Sequence, residues 1–224
     1  MCEKITNYLT TSFLIFGYSR IDEFGNALDS NYGHRSIYRQ KDLCTSEQIL
    51  TALAKDEIPT TAWSFVTKRS VIEKHDLLFS VGKKFEDNNF TPKVFYFSKN
   101  IVVISLRLYR YRKRSGSIMS NHPEKFFSDD AIFVIYDLLD FYDQYKIREL
   151  GAVVGKCVMS TLASFPDSKK LYNELNPIRK KVFKDYISIE KRHTKRIKMY
   201  VKMYVFSSYV GYKLYRLVKG KHWK

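Results

Sequence analysis

A chain of 224 residues with 45% hydrophobic and 16% aromatic content can bury a real core, which excludes wholesale disorder. Its net charge is +16, yet residues 179–224 hold fifteen Lys/Arg against only Asp185 and Glu190, so the rest of the chain is close to neutral. This excludes a uniformly basic domain and points to a basic tail suited to an anionic partner, either acidic headgroups or nucleic acid.

In chain order, residues 12–18 form a continuous apolar run that predicts a buried strand. Asp22, Gly25 and Asn26 then supply turn chemistry. Thr45-Ser46-Glu47 opens a helical pattern through Ile49, Leu50, Leu53 and Ala54 that closes before Pro59. The stretch 63–71 is mixed. Thr91-Pro92 predicts a helix start, with Thr as cap and Pro in the first turn, and Asn100 a stop. Residues 101–109 predict a strand. Beyond Ser120 the pattern is helical. Ser128-Asp129-Asp130 predicts an N-cap ahead of an apolar face at Ile132, Ile135, Leu138, Leu139 and Tyr142. Helices are expected over 148–163, over 168–186 with an interruption at Asn176-Pro177, and over 188–218. Together these predict an α/β protein with a small mixed sheet followed by a helical C-terminal region.

Cys2, Cys44 and Cys157 are odd in number and lie in no metal spacing, so they read as reduced thiols in a cytosolic setting. Glu3 comes early and no apolar core follows it, so no leader is expected. No uncharged run is long enough to span a membrane.

The stretch 79–118 carries the chemistry. It reads Phe79-x-x-Gly82-x-x-x-Glu86-Asp87-x-x-Phe90, then Tyr109-x-Tyr111-Arg112-x-Arg114-x-Gly116-Ser117-Ile118. A carboxylate held in a pocket can take a proton from an attacking alcohol, a role typically worth ~10²–10⁴ in rate. Phe85 and Phe90 would shield such a site. The plainer alternative for Glu86-Asp87 is a solvated loop or helix start. Arg110, Arg112 and Arg114 alternate at strand spacing, which places them on one face with Gly116. Their forked guanidinium groups suit phosphate; the alternative is a charged edge that discourages strand pairing.

Taken with Trp63 and Lys68 upstream, this order of residues resembles the C-terminal half of family 2 glycosyltransferases of the GT-A fold, the type that builds bacterial capsule, exopolysaccharide and lipopolysaccharide. The resemblance covers roughly residues 5–150. It implies that Asp87 is the general base with Glu86 beside it, and that Trp63, Arg112, Arg114, Gly116 and Ser117 bind substrate. The substrates would be a nucleotide-sugar and a saccharide or lipid-linked acceptor. The family's nucleotide-binding half, whose Asp-x-Asp holds Mg²⁺ or Mn²⁺, has no counterpart here. The resemblance therefore implies a truncated or split enzyme, with no metal ligands in this chain, which self-associates or uses an N-terminal partner fragment.

The expected organisation is an acceptor-side domain over 1–120, a helical extension over 121–187 and a basic amphipathic helix over 188–224. In the last, Lys191, Arg192, Lys195, Arg196, Lys198 and Lys202 interleave with Tyr200, Tyr204 and Tyr209. That mixture suits the cytoplasmic face of a membrane; the alternative is a solvated helix whose aromatic side packs on the domain. Nucleic acid ranks last, since no recognised module is present. The rival to an enzyme is a non-enzymatic membrane-surface or complex-binding module. His34, His75, His122, His193 and His222 are scattered and read as packing or surface residues. Gly151-x-x-x-Gly155 reads as close helix packing.

Overall fold

The computed structural model describes residues 13–29, 43–115, 124–164 and 169–189, the side chains of 29, 124–128 and 163 excepted. The chain divides into two compact units, 1–126 and 127–224.

In the first unit the apolar run becomes β1 (Phe13–Ile21), whose first four residues are all buried. It turns through Asp22 into β2 (Ala27–Asp29). Asp22 Oδ1 accepts from the amides of Phe24 (2.9 Å) and Asn26 (2.7 Å), and Gly25 takes the left-handed conformation the turn requires (φ 94°). The Asn26 side chain, donating to the carboxylate, holds Asp22 below its usual pKa.

Next come β3 (Leu43–Cys44) and α1 (Ser46–Ala54). Thr45 and Gln48 form a reciprocal capping box, the Gln48 amide donating to Thr45 Oγ1 and the Thr45 amide to Gln48 Oε1. A 3₁₀ turn (Ala62–Ser64) leads into β4 (Phe65–Thr67), then α2 (Arg69–Lys74), α3 (Asp87–Phe97) and β5 (Ile101–Arg112).

The strands form one mixed sheet in the order β2-β1-β5-β3, with β4 also pairing β1. Only β1 and β5 are parallel. Their register runs from Phe13↔Ile101 to Phe16↔Ile104, breaks on both sides of Gly17, and resumes from Tyr18↔Tyr109 to Ile21↔Arg112. On one face Leu14, Phe16, Val102 and Ile104 pack together with Leu108 against them. Phe13, Phe65 and Phe95 form a second aromatic core, in which Phe13 stacks on Phe65 at 4.8 Å and meets Phe95 edge-on at 5.1 Å. This fixes α3 against the sheet. Among the described residues, the outer edge of β5 is paired only at Ile101 and Val102. The result is the expected mixed α/β architecture, consistent with a partial GT-A-like sheet followed by helices.

The second unit contains all but the first three residues of α4 (Glu124–Tyr145), then α5 (Arg148–Ser164), α6 (Lys169–Lys181) and α7 (Phe183–Ile189). Gly151 and Gly155 let α7 approach α5 closely. A Cβ at Gly151 would lie 2.9 Å from the Asp185 Cβ, and one at Gly155 would lie 2.7 Å from the Tyr186 Cβ. The close-packing reading of these glycines holds.

Three local expectations are corrected. The third helix starts at Asp87, so Thr91 and Pro92 lie inside it rather than at its cap. Pro92 is accommodated because only one N–H is lost and the residue is buried on the core side. Ser128 to Asp130 likewise lie inside α4. The interruption near 176–177 does not occur. α6 runs through Pro177 because Leu171, Tyr172, Leu175 and Ile178 bury a common face, and the break falls at Val182. The remainder of the predicted 188–218 helix lies outside the described residues. Among the described residues, no helix is long and apolar enough to cross a membrane. Cys44 and Cys157 are free, buried thiols.

Candidate active site

Asp87 is the first residue of α3, placed there by the loop before it. Gly82 takes a left-handed conformation (φ 71°), and so does Phe85 (φ 62°), immediately ahead of the acidic pair. For a bulky aromatic this conformation is strained, and such strain clusters at functional positions. Phe79 stacks on Phe90 at 3.9 Å, which holds the loop against the helix.

The Asp87 carboxylate is half-buried. Its Oδ1 accepts a long hydrogen bond, 3.4 Å, from the Ala62 amide in the 3₁₀ turn. Burial is the main force on its ionisation and the neighbouring Glu86 charge adds to it. The Ala62 amide opposes both only partly, so the pKa of Asp87 is pushed up from 3.8 to about 6. A second tie fixes the same turn, since buried Thr91 donates its Oγ1 hydrogen to the Thr60 carbonyl oxygen at 2.5 Å. The loop before the 3₁₀ turn is thus tied to α3 at two points, one of them the carboxylate itself.

The residue after Ala62 is Trp63. Its ring stacks on Tyr109 (4.5 Å, 18°) and Tyr111 (5.4 Å, 23°), and Tyr18 meets it edge-on at 4.7 Å. Three tyrosine rings from β1 and β5 therefore gather around a tryptophan in the turn, adjacent to the backbone donor of Asp87. An aromatic face suits the C–H face of a sugar ring, whose hydroxyls stay free for polar partners.

Trp63, Glu86 and Asp87 are thus brought to one region. Arg112 is not: within the regular register of β5, Tyr109 and Tyr111 share one face, and Arg110 and Arg112 stand on the other. Arg114 lies past the strand end, so the proposed alternation does not reach it. Both Arg112 and Arg114 are exposed. Gly116, Ser117 and the basic set Lys191, Arg192, Lys195, Arg196, Lys198 and Lys202 lie outside the described residues. His75 stacks on Phe97 at 3.8 Å, a packing role. Among the described residues, no group of three or more His, Cys, Asp or Glu side chains is gathered as a metal site.

Sequence reasoning missed Tyr18 and the Ala62 amide. Tyr18 reaches the site through a parallel pairing across about ninety residues, which leaves no local signal. The Ala62 contribution is a backbone group, which no residue type announces.

No protein-family model matches this chain. It is 25% identical over 143 residues to EpsH of Bacillus subtilis (strain 168), a protein named provisionally as a glycosyltransferase. The match covers 62% of this chain and 40% of EpsH, so the chain spans less than half the length of that relative. The similarity supports a glycosyltransferase-like relationship.

Proposed function

We propose that this chain carries the acceptor-side part of a glycosyltransferase that extends a cell-surface polysaccharide. The observation that carries the reading is a half-buried carboxylate at a helix start, bonded to the Ala62 amide next to an aromatic platform, with its pKa pushed up to about 6. Asp87 takes the proton of an acceptor hydroxyl. The oxygen then forms its bond to the anomeric carbon of a nucleotide-sugar as the bond to the diphosphate breaks, and the nucleoside diphosphate leaves from the opposite side. A base with a pKa near 6 is ionised at pH 7 yet basic enough to accept the proton. Trp63 and the tyrosines would seat the acceptor ring. Glu86 raises the basicity of Asp87 by repulsion.

The donor, with Mg²⁺ or Mn²⁺, is assigned to a nucleotide-binding part outside the described residues, and no step is routed through the metal here. The described residues do not offer a ligand set for it. The basic residues Lys191, Arg192, Lys195, Arg196, Lys198 and Lys202 are proposed to hold the chain at an anionic membrane face, with Arg112 and Arg114 available to phosphate.

The test is nucleoside diphosphate release and saccharide extension, measured with the full chain alone and with a nucleotide-sugar-binding fragment supplied in trans. Replacing Asp87 by Asn should lower the rate by about 10²–10⁴. An unchanged rate sinks the assignment. An unchanged phenotype in Asp87→Asn, with loss on deleting residues 190–224, which leaves α6 and α7 intact, would instead support a non-enzymatic binding module.

A further inference from the structure

We infer that Thr91 is a positioning residue for the proposed transfer: its hydroxyl pins residues 60–63 to α3, so that Trp63 keeps its place beside Asp87 while that carboxyl gains and loses its proton. Thr91 is fully buried and donates its Oγ1 hydrogen to the Thr60 carbonyl oxygen at 2.5 Å, across 31 residues of sequence. A threonine inside a helix commonly satisfies its hydroxyl on the carbonyl four residues back in the same helix. Here the bond leaves α3 for the segment that carries Trp63.

That segment does little to hold itself. Core anchors stand on either side, Ile58 before it and Phe65 after it, but every residue from 59 to 63 is partly exposed. The 3₁₀ turn has no side-chain cap. Its internal bonds come from the Ser64 amide (3.0 Å) and the Ser64 hydroxyl (2.6 Å), both donating to the one Thr61 carbonyl. Among the described residues the Thr61 hydroxyl is buried with no hydrogen-bond partner, so the turn does not sit where its own polar groups are best satisfied. The tyrosine stacks hold the Trp63 ring to the sheet, but offset rings tolerate a range of displacements and leave the spacing to α3 open. External ties must set that spacing.

Two ties do so, and one of them changes during the reaction. Asp87 and Thr91 are four residues apart and share one face of α3. Asp87 holds the Ala62 amide by a long bond, 3.4 Å, whose strength depends on the charge of the carboxylate. The proton taken from the acceptor hydroxyl neutralises that carboxylate and weakens the bond while the acceptor ring must stay in line. The Thr91 hydroxyl does not ionise, so its bond to Thr60 holds the segment in both states. Among the described residues Glu86 is the charge that acts on Asp87, and His75 stacks on Phe97 at the far end of α3. The role in transfer rests on the functional reading above; the tie itself does not.

The experiment uses the full chain with Trp223→Phe, which leaves Trp63 as the one tryptophan. Its first part needs no substrate. With Thr91 present, quenching of Trp63 by acrylamide should be the same at pH 5 and pH 7, on either side of the Asp87 inflection, and should stay so in Asp87→Ala, which removes the Ala62 tie. Thr91→Val keeps the branched shape without the hydroxyl. There the quenching constant should be about twofold higher at pH 5 than at pH 7, as the remaining tie loses its charge. Adding Asp87→Ala should make it high at both, and Thr91→Ser should restore the parent's behaviour. In the transfer assay Thr91→Val should lower kcat/KM by about 10²-fold, with a higher KM for the acceptor as well as a lower kcat, and Thr91→Ser should recover most of it. A purely structural role would scale kcat with the folded fraction and leave KM alone. Quenching unchanged by Thr91→Val, or released by Asp87→Ala with Thr91 in place, would overturn the tie. A pH dependence that persists in the double variant belongs to His75 or Glu86 and would overturn the coupling. Should Thr91→Val not fold, the Asp87→Ala arm decides: a shielded Trp63 supports the tie and a released one refutes it. Unchanged kcat/KM in Thr91→Val would overturn the positioning role, whereas failure of the Asp87 assignment shows as unimpaired transfer in Asp87→Asn.

Discussion

Replacing Asp87 by Asn tests the buried-carboxylate argument without any substrate. Asn keeps the shape and the acceptor oxygen facing the Ala62 amide but cannot ionise. In the folded protein the carboxyl pKa is raised from 3.8 to about 6, so between pH 4 and pH 6 the folded state binds more protons than the unfolded state. Stability conferred by the neutral carboxyl is therefore present at low pH and lost as the pH rises through 6. Fully expressed, the displacement corresponds to about 3 kcal/mol at 1.36 kcal/mol per pH unit. The group is only half-buried and solvent screens it, so about 1–2 kcal/mol is the realistic magnitude. Asp87→Asn should thus match the parent at pH 4 and exceed it at pH 7, by roughly 2–8 °C in melting temperature for a chain of this size. Thermal unfolding at both pH values decides the matter. A variant equally stable or less stable at pH 7, or a difference independent of pH, would refute the burial argument. If Asp87 is also the base, transfer should rise with pH to a plateau, with its inflection near 6.

The remaining predictions concern packing and positioning. Trp63→Ala removes two stacked contacts and one edge contact, each worth about 0.5–1.5 kcal/mol, so chemical denaturation should show a loss of about 2–3 kcal/mol. Trp63→Phe should restore most of the stability while still weakening saccharide binding. Thr91→Val abolishes the bond to the Thr60 carbonyl and leaves that oxygen unpaired; a cost of about 1–3 kcal/mol is expected, with faster hydrogen exchange at Ala62. Gly151→Ala should destabilise by about 1–3 kcal/mol despite the better helix propensity of Ala, because the new methyl would collide with Asp185. A stabilised Gly151→Ala would show that α7 can move away from α5.

Much of the architecture was legible from local pattern. The apolar runs at 13–16 and 101–104 read as buried strands, Thr45-Ser46-Glu47 opens a helix, and Asp22, Gly25 and Asn26 announce a turn, because each rests on chemistry within a few residues. The acidic pair at 86–87 was visible for the same reason. Where local signals competed with burial, burial prevailed. Pro92 and Pro177 sit inside helices because the faces around them are in the core. The site itself was set at longer range. The parallel pairing of β1 with β5, and its break at Gly17, bring Tyr18 opposite Tyr109. That same register sends Arg112 to the opposite face from Trp63. The Ala62 amide meets Asp87 only because the turn and α3 are packed together. Residue type and spacing thus determined which groups could do the chemistry. Which of them share a space was decided by strand register and helix packing, whose energies are summed over contacts far apart in the chain.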